Sequence, residues 1–108
     1  MSIKNCVSAA EWQARCELAA LYRVIAYYKM TDLIDTHISL RVPNQQDHFL
    51  INQYGIAFEK MTASTLVKID HDGHIVLPEE HNKPVNQAGF VIHSAIHHAR
   101  PEIDCVIH

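Results

Sequence analysis

The stretch that most constrains this chain is its last quarter, residues 84–108, PVNQAGFVIHSAIHHARPEIDCVIH. Ala88, Ile92, Ala95 and Ala99 recur at steps of four, three and four, and Val91 and Ile96 widen the series. That spacing predicts one apolar stripe on an α-helix, packed against a sheet. Asn86 suits the N-cap, since its side-chain oxygen can accept a free N–H of the first turn. Pro101 cannot continue the helix and biases Arg100 toward extended backbone. Residues 103–107 then read as a short strand. Its consecutive Cys105, Val106 and Ile107 suit coverage on both faces.

The remaining elements follow in order. Ser8 and Glu11 form a capping box, with each side chain serving the other's backbone N–H. The helix behind it is expected to run to about Met30. Ala14, Leu18, Leu21, Ile25 and Tyr28 make its buried stripe, while Arg15, Tyr22, Arg23 and Lys29 fall away from it. Residues 37–42 alternate strictly, with Ile38, Leu40 and Val42 on one face and His37, Ser39 and Arg41 on the other. Residues 43–47 form a turn, and residues 49–51 return as the second strand of an antiparallel hairpin. Residues 62–66 read as one capped helical turn, and residues 66–70 as a third strand. Asp72-Gly73 signals a type I′ turn into residues 74–77. Residues 78–84 read as an exposed linker. The order predicts an α/β fold, a layered helix–sheet–helix with a largely antiparallel central sheet.

At 108 residues and 48% hydrophobic, the chain fits one small domain with a real core. The net charge of −3, with no basic run, gives no footprint for nucleic acid or an anionic membrane. No apolar run approaches the roughly 20 residues of a membrane span. The N-terminus has no apolar core of a signal peptide. Cys6, Cys16 and Cys105 are widely spaced, which favours reduced thiols in a cytoplasmic protein over a disulfide framework.

Three clusters carry candidate chemistry. His93 and His97 stand four apart on the polar side of the last helix, the geometry of a two-histidine metal site. The glutamate of HExxH is absent, and a solvated or subunit-facing histidine surface explains the pair as well. Gly89, one turn earlier, permits close approach of another backbone. Asp70, His71, Asp72 and His74 look like a metal cluster, but strand alternation separates neighbours and Asp72-Gly73 serves the turn. His37, Ser39 and Arg41 form either a substrate-facing wall or the wet side of a hairpin. No G-x-S-x-G, P-loop or Cys-x-x-Cys is present, so the usual hydrolase, nucleotide and redox readings lack support.

The run GFVIHSAIH, then RP, then VIH resembles the class II aldolase/adducin family. THISLRV, FLINQYG, FEKMTASTLVKID and DG sit in that family's order and resemble its adducin-type branch. The resemblance implies that residues 1–108 form one domain of this type, incomplete at its C-terminal end. It implies a divalent metal, usually zinc, in the full-length domain, with His108 as one ligand. It places the substrate phosphate at Thr36 and His37 and at Tyr54 and Gly55. Only Gly55 keeps the aldolase residue type there. The catalytic acid position falls at Gly89, which can neither ligate a metal nor move a proton. Two functions follow: part of a zinc-dependent aldolase or epimerase-type lyase, or a non-catalytic, adducin-like module for self-association or protein binding. For the chain as given, Gly89 and the altered phosphate turns favour the module. Family members commonly assemble, so a homo-oligomer is expected.

Overall fold

The computed structural model describes residues 2–31 and 36–107, except the side chain of Gln87. Helix α1 spans Ala9–Tyr27 and helix α2 Gln87–Ala99. Strands β1 (Ile38–Arg41), β2 (His48–Asn52), β3 (Leu66–Asp70) and β4 (Cys105–Ile107) form one sheet. Its order is β3-β2-β1-β4, and every neighbouring pair is antiparallel. The helices cover opposite faces, giving the helix–sheet–helix layering that the element order predicts. On the α1 face, Ala14, Leu18, Ala19 and Tyr22 pack with Ile38, Leu50, Phe58, Met61 and Leu66. On the α2 face, Phe90 joins Phe49, Ile51, Val67 and Ile69. No helix among the described residues is long and apolar enough to cross a membrane.

The Ser8 hydroxyl caps α1 by accepting the Glu11 N–H at 3.0 Å. The Glu11 carboxylate does not return the bond. It takes the Arg15 Nε at 3.1 Å and the Lys68 Nζ at 2.8 Å instead. Lys68 comes from the α1 face of β3 and is buried, and a buried ammonium needs an anion more than a helix end needs a second cap. Glu80 closes the cluster with a forked pair to Arg15 (2.9 and 3.3 Å) and accepts the Lys68 N–H at 2.9 Å. Residues 78–84 are therefore anchored at Glu80 rather than forming a solvated linker.

Arg15 and Tyr22 also depart from expectation, since both are fully buried. Helix α1 is enclosed by the sheet on one side and by the turns of residues 58–65 on another, so its buried arc is wider than one stripe. Arg15 donates to the Ala63 carbonyl at 3.2 Å. Tyr22 donates to the Ile38 carbonyl and accepts the Ile38 and Asn52 N–H groups at 3.0 and 3.1 Å. Burial pushes its phenol well above the ordinary range. At the other end of the predicted stripe, Tyr28 is exposed, because the helix stops at Tyr27 and Lys29 turns at φ 59°.

The main reversal is in α2. Asn86 caps it as predicted, accepting the Ala88 and Gly89 N–H groups at 3.0 and 3.3 Å. The helix is rotated from its expected orientation. Gly89, Phe90, His93, Ser94 and His97 face the sheet, while Ala88, Val91, Ile92, Ala95 and Ala99 are exposed. The opposing face of β1 explains this. It presents Ser39 and Arg41, which burial would leave costly without partners, and the histidine side of α2 supplies them.

Two smaller elements also differ. Only Gly73 has positive φ in the turn after β3, so that turn is not type I′. The Gly73 N–H reaches the Asp70 carbonyl at 3.1 Å, and the return is a single bridge, Ile69 to Ile75. Strand β4 lies at the sheet edge with Cys105 and Ile107 exposed, not covered on both faces.

Replacing Leu18 with Ala should cost roughly 2–5 kcal/mol in chemical denaturation, because the side chain is fully buried. Leu21→Ala should cost clearly less, since Leu21 is only half-buried. The opposite ranking would contradict this packing.

Candidate functional site between helix α2 and strand β1

Pairing of Leu40 with Leu50 brings the start of β1 and the end of β2 to the same end of the sheet. Tyr22 ties those two strand ends together. The Tyr54 N–H donates to the Pro84 carbonyl at 2.8 Å, which draws the start of α2 to that end as well. His37 and Gly89 meet there. A Cβ built on Gly89 would lie 2.7 Å from His37 Nε2 and 2.8 Å from its Cε1. The His37 and His93 rings stand edge to face, with centroids 5.9 Å apart.

Ser39 links the two histidines of α2. Its Oγ is 2.7 Å from His93 Nδ1 and 2.8 Å from His97 Nε2. Arg41 Nη2 lies 3.4 Å from His97 Nδ1 and donates to the His97 and Ile103 carbonyls at 2.8 and 3.1 Å. A guanidinium only donates, so His97 Nδ1 presents its lone pair and Nε2 carries the proton. The Nε2–H therefore donates to Ser39, whose oxygen is also hydrogen-bonded to His93 Nδ1. Burial, and then Arg41, push the His97 imidazole down to about 4. His97 is thus neutral, and Ser39 clamps helix to sheet through both rings.

The Class II Aldolase and Adducin N-terminal domain family matches residues 16–108. The chain belongs to that family. Its backbone is similar to that of an aldolase II superfamily protein from Pseudomonas syringae, with TM-score 0.92 and 50% identity over all of this chain and 43% of that one. The L-fuculose 1-phosphate aldolase from Glaciozyma antarctica gives TM-score 0.86 and 35% identity, covering 93% of this chain and 41% of its own. Alpha-adducin of Rattus norvegicus is 47% identical over 94 residues, which are 87% of this chain and 13% of that protein. The chain spans about two fifths of the length of its bacterial relatives (41% and 38%).

The positions that the class II aldolase/adducin resemblance assigns to substrate converge only in part. Thr36 and His37 precede β1, and Tyr54 and Gly55 follow β2, so all four lie at one end of the sheet. His37 is buried, whereas Tyr54 and Gly55 are exposed, with Gly55 at φ 93° and no side chain near it. Thr36 is occupied locally, its hydroxyl donating to the Thr31 carbonyl. His108 lies outside the described residues. Among the described residues, the donors around Gly89 do not make up a zinc set. The carboxylate position has no side chain, and the Ser39 clamp engages one ring nitrogen each of His93 and His97.

Asp70, Asp72 and His74 bring three donor atoms within 4.8 Å, without His71. Asp70 is already committed to the turn, accepting the Asp72 and His74 N–H groups, each at 2.9 Å. Burial pushes its carboxyl up, but those donors outweigh it and hold the carboxyl below the usual range. What sequence reasoning missed is the joint role of Ser39, Arg41, His93 and His97. The available signal was two polar faces with complementary donors and acceptors, one on a strand and one on a helix.

Gly89→Ala should destabilise the protein, although alanine favours a helix interior by about 1 kcal/mol over glycine. The added methyl must displace a buried imidazole. In a double-mutant cycle by denaturant unfolding, His37→Ala should relieve most of that cost. A stabilising Gly89→Ala would refute the close packing.

Proposed function

We propose that this chain is an adducin-like association module of the class II aldolase fold, without aldol chemistry of its own. The carrying observation is at Gly89. The residue assigned to the catalytic acid has no side chain, and the space where one would begin is taken by the His37 imidazole. A proton-transfer group is typically worth 10²–10⁴ in rate, so its loss is severe by itself. The outer face of α2 supports association. Val91 and Ile92 are 58% and 49% exposed, and with Ala95 they make a continuous apolar strip. We assign that strip to contact between copies of this chain.

One observation favours a second reading, part of a zinc-dependent lyase. The chain is 35% identical to a protein named L-fuculose 1-phosphate aldolase. In that reading His108 ligates the metal, and Thr36, His37, Tyr54 and Gly55 receive a sugar phosphate.

Purified chain with added zinc should release no dihydroxyacetone phosphate from ketose 1-phosphates in a coupled assay. Turnover abolished by His108→Ala would establish the lyase reading. Sedimentation velocity should show a concentration-dependent species larger than monomer, and Ile92→Glu should return it to monomer. A wild-type chain that stays monomeric at high concentration would count against the association face.

A further inference from the structure

The buried polar seam between α2 and β1 joins groups whose hydrogen-bond directions require a neutral His97. Arg41 donates toward His97, His97 donates to Ser39, and Ser39 is also bonded to His93. His93 and His97 are 0% and 1% exposed, so neither can turn to water without the helix moving. We propose that this chain of hydrogen bonds is an acid-sensitive latch, which holds α2 on the sheet while His97 is neutral and releases it when His97 is protonated.

The groups around His97 explain why protonation opens the seam. From β1, the Arg41 guanidinium already places a positive charge against Nδ1, and a proton there would set donor against donor. From β2, the Phe49 ring packs on the imidazole with centroids 4.9 Å apart and offers no charge. From the turn after β3 comes His71, whose ring meets that of His98 at 5.2 Å. On α2 itself stand His93 and His98. Among the described residues, the carboxylates paired with these groups are Asp104, 3.8 Å from Arg41 Nε, and Asp47, 3.6 Å from His71 Nε2. Both side chains are largely exposed, at 74% and 86%, so water screens them and they offset little of the added charge.

The direction with pH follows from the depressed basicity of His97. Its folded value is about 4, and a released histidine returns to about 6.5. Release therefore takes up a proton between those values. The latched state keeps its full advantage above about pH 6.5 and loses it as pH falls toward 4. The latch does not depend on what the outer face of α2 binds. Loss of association in acid would be a consequence only under the proposed function.

Hydrogen exchange of the α2 amides, corrected for intrinsic rates, tests the latch. Protection in the wild-type chain should fall at least about tenfold per pH unit between 6.5 and 4.5, with His97 supplying one proton's worth of that slope. His97→Gln keeps an N–H donor toward Ser39 but cannot titrate, so its slope should be shallower by that proton. Equal slopes in the two proteins would overturn the latch. If the variant does not fold, the wild-type His97 ring decides by NMR. A ring that stays neutral to near pH 4 while α2 remains protected supports the latch, and one that titrates near 6.5 with α2 still protected refutes it.

Discussion

One serine hydroxyl shared between two imidazoles sets the orientation of a whole layer. Ser39 points from β1 toward α2, and its bonds to His93 and His97 fix which side of the helix meets the sheet. Reversing the helix would bury the Ala88, Ile92 and Ala95 stripe against Ser39 and Arg41. It would take both imidazole partners from the Ser39 hydroxyl and the His97 contacts from Arg41, at a cost of a few kcal/mol, more than burying a few alanines returns. Polar complementarity thus outweighs the hydrophobic stripe on this face. Apolar burial is still served, because Phe90 sits on the histidine side and fills the gap between Phe49, Ile51, Val67 and Ile69.

The opposite face follows a related principle with charges. Glu11, Arg15, Lys68 and Glu80 join α1, β3 and the segment before α2 through fully paired contacts. Such a cluster adds little net stability over an apolar equivalent. Removing any one member, however, strands the others, and that loss is typically about 3–5 kcal/mol. It therefore specifies the register between α1 and β3 more than it strengthens the fold. Tyr22 does similar work with neutral groups at the sheet end where His37 and Gly89 meet. A candidate site framed by these rigid contacts has little freedom to admit a new side chain, which is why Gly89 matters beyond its lack of chemistry.

Much of this architecture is legible in the residues. The α1 stripe as far as Ile25, the alternation in β1, the short apolar runs of β2 and β3, and the Ser8 and Asn86 caps all stand where spacing predicts. Resemblance to the class II aldolase/adducin family adds the meeting of the positions around Thr36, Tyr54 and Gly89 at one end of the sheet. The burial of Arg15, Tyr22, His93 and His97 was not legible. Each looks like surface until its partner is known, and the partners lie 48, 16, 54 and 58 positions away in the chain. Periodicity reports how apolar a face is, not what the surface opposite it requires. The polar side of β1 admitted a wet face or a binding wall, and it is not wet, because α2 covers it with matching groups.

The orientation of α2 carries both the closure at Gly89 and the exposure of the outer strip, so it is the point to test. In a background with Cys6, Cys16 and Cys105 replaced by serine, single cysteines at positions 92, 95 and 94 can be labelled under native conditions. Cysteine at 92 or 95 should react with a soluble thiol reagent at close to the rate of an unfolded chain in dilute protein, and cysteine at 94 should be strongly protected. Fast labelling at 94 with protection at 92 and 95 would mean that the apolar stripe faces the sheet, and would contradict the account.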